Sequence, residues 1–237
     1  MAMEFIWSLS NACDGGRQCY SWLMSKIDSK FEGEGAASLA DRMISSWPFE
    51  LLPGFGTGFD LAWSNVYCVR SDCWYNDNFI HAFTITLAGT FKNNTTIFLP
   101  PLSTPAESKG DRVSTAVVNL FANTTEYLVF MPMNINKNHW TCIVVDRRCK
   151  RANHKLLAEV AAELVTKSLP HRFKITAVHS PLQKDNDNCG LFVCLYFWRR
   201  VFKEAGNDYT ELGLSRHRWD ILRTVVNFSD KKKSKEA

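Results

Sequence analysis

Two residues in this sequence have types and settings suited to nucleophilic chemistry. Cys189 follows the polar, turn-prone run Gln183-Lys184-Asp185-Asn186-Asp187-Asn188 and precedes Gly190 and an almost wholly apolar stretch, which puts its thiol at the start of a helix. Backbone N–H groups and the macrodipole at that end favour negative charge on sulfur, and the thiolate is the attacking species. Gly190 permits close approach of a substrate to the backbone. By local features alone, an inert helix-terminal thiol is as good a reading, whereas Cys194, inside the apolar stretch, reads as core. Of the six histidines, only His139 and His179 flank strand-like segments, and only His139 passes from a turn directly into a strand beside an aromatic residue, Trp140. An imidazole there could serve as a base, although a lone histidine is more often a hydrogen-bonded surface or core residue. Gln183, at the far end of the same loop as Cys189, could donate its amide to the oxyanion formed when sulfur attacks a carbonyl. The Cys189 backbone N–H would be the second donor, and a surface glutamine is the plain alternative.

A catalytic imidazole also needs an acceptor that orients its other nitrogen. In a continuous strand Asp146 lies seven residues from His139, about 23 Å away at about 3.3 Å per residue, out of reach. If the chain instead reverses near Asp146-Arg147, the residue paired across from His139 is Asn153, equally spaced about the turn. Asn153 is therefore the candidate orienter, since a neutral acceptor suffices to hold the tautomer, and Asp146 reads as a turn residue.

The elements that must position these groups can be read from periodicity. From Cys73 to Leu87, Phe79, Ile80, Phe83 and Leu87 recur at helical spacing, with Asn76 and Asp77 at the start. Tyr127 to Met133 and Thr141 to Val145 read as neighbouring strands joined by the turn-like Asn134 to Asn138. Leu156 to Lys167 has helical apolar spacing, and Phe173 to Val178 reads as a further strand ending at Ser180-Pro181. A central helix is expected from Gly190 to about Lys203, and another from Arg216 to Val226. Helices before and after an antiparallel strand group indicate an α+β domain. Residues 1 to 60 are the least informative part of the chain.

Size and composition bound the reading further. With 237 residues, 46% of them hydrophobic and including 16 Phe and 8 Trp, the chain can bury enough apolar area to offset the entropy of ordering. No stretch reaches the roughly 20 apolar residues of a membrane span, and the opening segment lacks the basic n-region of a signal peptide. An intracellular location is expected. The eight cysteines (Cys13, Cys19, Cys68, Cys73, Cys142, Cys149, Cys189, Cys194) show no disulfide-scaffold or zinc-ribbon spacing and read mostly as buried free thiols, with no metal site expected. The net charge of +4 owes much to Lys231, Lys232, Lys233 and Lys235, a solvated end. It implies no nucleic-acid partner.

Three segments taken together, CWYND at 73–77, MPMNINKNHWTCIVVD at 131–146 and SPLQKDNDNCGLFVC at 180–194, resemble the ubiquitin-like-protein (SUMO) specific cysteine proteases, related more distantly to the adenovirus-type protease. Order and spacing match over roughly residues 60 to 226, and Arg216-His217-Arg218-Trp219 is similar to that family's closing helix. The resemblance implies a papain-like fold with a small, mostly antiparallel sheet flanked by helices and the nucleophile at the N-terminus of a central helix. It implies an N-terminal variable segment (1–60), a protease domain (61–228) and a basic tail (229–237). It makes Cys189 the nucleophile, His139 the general base and Gln183 the oxyanion donor. Trp74 and Trp140 match positions flanking the tunnel for a modifier's Gly-Gly tail, and a narrow aromatic slot admits glycine while rejecting side chains. Asp77 stands at an acidic position that faces a basic patch on the modifier. The implied activity is hydrolysis after the terminal Gly-Gly of a SUMO-like modifier or ubiquitin by a monomer needing no cofactor. The sequence departs from the family in two places. Asn153 stands where the third catalytic member is usually Asp, after a shorter hairpin, and Asn188 stands where Asp usually precedes the nucleophile.

Overall fold

Two adjacent glycines, Gly15 and Gly16, fall inside the first helix, α1 (Ala2–Trp22). The structure is a computed structural model that describes residues 2–56, 59–91, 95–103, 112–135, 137, 139–146, 155–168, 183 and 185–236. A glycine inside a helix costs about 1 kcal/mol relative to alanine. Here it serves close packing, because a Cβ on Gly16 would meet the Tyr67 ring at 3.2 Å. A π-helical turn, Leu23–Asp28, continues α1. Then follow α2 (Ala36–Ser45), the two-residue antiparallel strands β1 (Leu51–Leu52) and β2 (Leu61–Ala62), a single helical turn α3 (Trp63–Val66), and α4 (Asp77–Thr90). These elements belong to one compact unit, Met1–Thr90 with Cys194–Ala237. Its core takes Leu23, Ile27, Met43, Trp63, Phe79, Phe83, Trp219 and Leu222, all nearly or wholly inaccessible.

The second unit, Phe91–Val193, is built on a four-stranded sheet. Its elements are β3 (Thr96–Phe98), β4 (Leu102–Ser103), α5 (Thr115–Ala122), β5 (Leu128–Ile135), β6 (His139–Asp146), α6 (Lys155–Ser168) and the start of α7 (Cys189–Val201). Antiparallel pairing of β5 with β6 covers eight residue pairs, from Leu128↔Asp146 to Ile135↔His139. On its other edge β5 pairs in parallel with three residues of β3 and two of β4. Pro100 and Pro101, which lack N–H donors, separate β3 from β4. The N–H of Leu128 and the carbonyl of Phe130 bond toward this edge, to Thr95 O and Leu99 N–H at 2.8 Å each. By alternation the missing N–H of Pro132, in the middle of β5, faces the same edge at the prolyl break, so no ladder bond is lost there.

Side chains alternate across this sheet. Val129, Met131 and Met133 of β5 and Ile143 and Val145 of β6 share one face and form a core with Phe121 of α5 and Val160, Ala161 and Leu164 of α6. The α+β class and the small sheet flanked by helices thus stand as the sequence implied, with α4, α6 and α7 close to their expected bounds. The expected strand Phe173–Val178 lies outside the described residues. α8 (Glu211–Glu236) is longer than expected and carries Lys231–Lys233 as exposed helical residues, with Ser229 fully buried and donating to Pro53 O at 2.8 Å. The 229–237 segment therefore begins as an integrated part of the first unit. No described helix is long and apolar enough to cross a membrane.

Candidate active site

Cys189 is the first residue of α7 and is 3% exposed. The helix starts there because Asn188 supplies the first intrahelical acceptor, its carbonyl receiving the Phe192 N–H at 2.9 Å. The preceding loop is organised around one carboxylate. Asp185 Oδ1 accepts from the backbone N–H of Asp187 at 3.2 Å and of Asn188 at 2.9 Å, and from Gln183 Nε2 at 2.9 Å. The Asp185 carbonyl accepts a further bond from Gln183 Nε2 at 2.7 Å. Desolvation pushes the Asp185 carboxyl up, but hydrogen bonds from the Asn188 side chain, the Asn188 N–H, the Gln183 amide and the Asp187 N–H outweigh it and hold the group below its ordinary value. The carboxylate is thus ionised at neutral pH.

His139 opens β6, paired with Ile135 across a tight hairpin whose Lys137 adopts the left-handed conformation at φ 59°. Its side chain is exposed. Cys189, Gln183, His139 and Trp140 all lie in the second unit. Trp140 pairs with Asn134 on the sheet face opposite the core described above and is 4% exposed. β6 runs unbroken from His139 to Asp146, so Asp146 stands at the far end of the strand from the imidazole, about 23 Å along it. Asn153 lies outside the described residues.

Trp74 and Asp77 belong to the first unit. Trp74 is 46% exposed, and Asp77 is the first residue of α4. Asn76 caps that helix, its Oδ1 accepting the Phe79 N–H at 2.8 Å while its Nδ2 donates to Asn65 O at 2.8 Å. The segment carrying Trp74 is held by Arg218, 1% exposed, which donates to the carbonyls of Val69 at 3.1 Å, Arg70 at 2.6 Å and Cys73 at 3.1 Å and lies over the Tyr75 ring. Arg218 falls in the run that resembles the family's closing helix, but neither it nor Asp185 has a role that can be read from the sequence. Both act by gathering backbone groups, and only the fold shows which ones.

The described cysteines are free. Burial pushes the Cys68 and Cys142 thiols up to about 12 and Cys19 higher still, so at neutral pH they stay protonated and are poor nucleophiles. Cys194 is fully buried within α7.

No protein-family model and no curated protein matches this sequence. Solved structures do match its fold. The C-terminal Ulp1 protease domain in complex with Smt3, the yeast orthologue of SUMO, gives a TM-score of 0.61 at 15% identity over 81% of this chain and 94% of that one. The catalytic domain of the Chaetomium thermophilum Ulp1-like SUMO protease gives 0.58 at 16% identity, over 83% and 90%. The SUMO protease Ulp1 with its catalytic cysteine oxidised to a sulfinic acid gives 0.56 at 15% identity, over 81% and 94%. At these identities the likeness establishes the fold, which is that of the Ulp1-type cysteine proteases.

Proposed function

We propose that this chain is a cysteine peptidase that cuts after the C-terminal Gly-Gly of a ubiquitin-like modifier, SUMO-like or ubiquitin, releasing it from a precursor or a carrier. The observation that supports this most strongly is the setting of Cys189: the first residue of a buried helix, directly after a loop that carries Gln183, in the same compact unit as His139. Two of the proteins of like fold are SUMO proteases, and the third is a protease domain in complex with a SUMO orthologue.

In the proposed reaction the Cys189 thiolate adds to the carbonyl carbon of the last glycine, and the carbonyl electrons pass to oxygen. The Gln183 amide and the Cys189 N–H donate to that oxyanion. As the tetrahedral species collapses, the C–N bond breaks and His139, carrying the proton from sulfur, gives it to the leaving amine. Water then attacks the thioester with His139 as base, releasing the modifier's carboxylate and regenerating the thiol. Asn153 is assigned to orient the imidazole. Trp140 is assigned to the walls of the glycine slot, and Trp74 and Asp77 to contacts with the modifier. No step calls for a metal or organic cofactor, and an intracellular monomer is the expected form.

A second reading, a catalytically silent modifier binder, is favoured by one observation: the Gln183 amide is already engaged by Asp185. A panel of SUMO and ubiquitin vinyl-sulfone probes, run beside Cys189→Ala, separates the two readings. The peptidase forms a covalent adduct with at least one probe and loses it in the variant. A binder retains the modifier without forming any bond to it.

A further inference from the structure

Asp185 has no part in the reaction as written, yet described groups of the loop converge on it. Its Oδ1 gathers Gln183 Nε2, the Asp187 N–H and the Asn188 N–H within 2.9 to 3.2 Å, and its carbonyl takes Gln183 Nε2 at 2.7 Å. Asn188 in turn starts α7 through its carbonyl. One side chain therefore ties the amide assigned to the oxyanion to the residue that sets the position of the Cys189 N–H. Resting on the peptidase reading, we propose that Asp185 is a positioning residue that fixes the separation and direction of the two oxyanion donors, Gln183 and the Cys189 N–H. The carboxylate touches neither substrate nor the reacting atoms. The two Asp185 acceptors engaged by Gln183 sit on one residue, so a single amide N–H can be shared between them. The second N–H then remains for the oxyanion. This turns the engagement that favours a silent binder into preorganisation, in which the donor is already held before substrate arrives.

The test compares the unmodified chain with Asp185→Ala, Asp185→Asn, Gln183→Ala and the Asp185→Ala/Gln183→Ala double variant. One readout is kcat and KM on a modifier–fluorophore amide. The other is the rate at which iodoacetamide alkylates Cys189, followed by peptide mapping. Alkylation displaces iodide directly from carbon and forms no oxyanion, so it senses the thiol and the fold but not the donors. Asp185→Ala is expected to lower kcat about 10- to 100-fold with KM changed by less than about 2-fold, and to leave alkylation within about 2-fold of the unmodified rate. Asp185→Asn, whose Oδ1 can accept the same three bonds, recovers most of kcat. The double variant is no slower than Gln183→Ala, because both changes remove one donor. An undiminished kcat in Asp185→Ala overturns the proposal, as does a matching fall in alkylation or a loss that multiplies with that of Gln183→Ala. If the unmodified chain neither hydrolyses nor labels, the peptidase reading itself falls. If it turns over and Asp185→Ala does so equally well, only the positioning role falls.

Discussion

The proposed chemistry depends, at the smallest scale, on an amide that must be held in place yet remain able to donate. Gln183 is fastened to Asp185 at 2.7 and 2.9 Å, and Asp185 is fastened to the start of α7. Replacing Gln183 by alanine removes one proposed oxyanion donor and is expected to reduce kcat by about 100-fold with little change in KM. Replacing His139 by alanine removes the proposed base and acid together and is expected to cost about 1,000-fold or more. Steady-state hydrolysis of a modifier–fluorophore amide checks both, and a Gln183→Ala enzyme as fast as the unmodified one contradicts the assignment. At this scale the sequence showed the types and spacing of Cys189, Gln183 and His139, because a thiol at a polar-to-apolar boundary and a histidine at a turn-to-strand boundary are legible in one dimension. Asp185 was not legible. In a run reading Lys-Asp-Asn-Asp-Asn, every residue is turn-prone, and only the folded loop selects the one carboxylate on which the N–H groups converge.

Among the elements, α8 carries a buried titratable group whose protonation bears on stability. His217 is 4% exposed, and its Nε2 is buried without a hydrogen-bond partner among the described residues. Desolvation, with the nearby Arg199 charge, holds its pKa below the ordinary 6.5, against the opposing pull of the Asp208 carbonyl and the Asp220 and Asp208 carboxylates. Unfolding restores the ordinary value, so between the depressed folded value and 6.5 the unfolded chain binds more protons than the folded one. Stability is therefore complete above 6.5 and falls as pH drops through that window. Urea unfolding midpoints should decline as pH falls through and below 6.5, and His217→Gln should flatten that part of the slope. An equal slope in both proteins contradicts the assignment. The legible elements were those with strong periodicity: α4, α6, α7 and the β5–β6 pair. The hairpin is tighter than the residue types suggest, because strand pairing continues through the polar Asn134 and His139 that read as turn and turn edge. β3 and β4 escaped notice because two prolines leave only three and two residues to mark them. α1 escaped notice because it carries two glycines, unfavourable for a helix by propensity, of which Gly16 serves close packing on Tyr67.

For the molecule as a whole, the first 60 residues are the part whose role the sequence left most open, and within the first unit they are deeply built in. Leu23, Ile27 and Met43 are fully buried. Glu34 accepts from Arg216 at 2.6 Å, Arg223 at 2.9 Å and Trp219 at 3.1 Å, and Arg42 grips Asp230 through two bonds of 2.8 Å. Deleting residues 1–60 strips apolar cover from α8 and removes Glu34 from Arg216 and Arg223, leaving them Asp220 alone, so the shortened chain is expected to be insoluble or to unfold without a cooperative transition. A soluble fragment with a sharp urea transition near that of the full chain contradicts this. The central claim is that Cys189 is a nucleophile toward a Gly-Gly-terminated modifier, and the most direct test is the mass of the intact chain after incubation with a modifier vinyl sulfone, followed by mapping of the modified peptide. The account predicts one added modifier on Cys189, absent from Cys189→Ala and sharply slowed in His139→Ala. An unmodified chain across SUMO and ubiquitin probes, or an adduct on another cysteine, would contradict it.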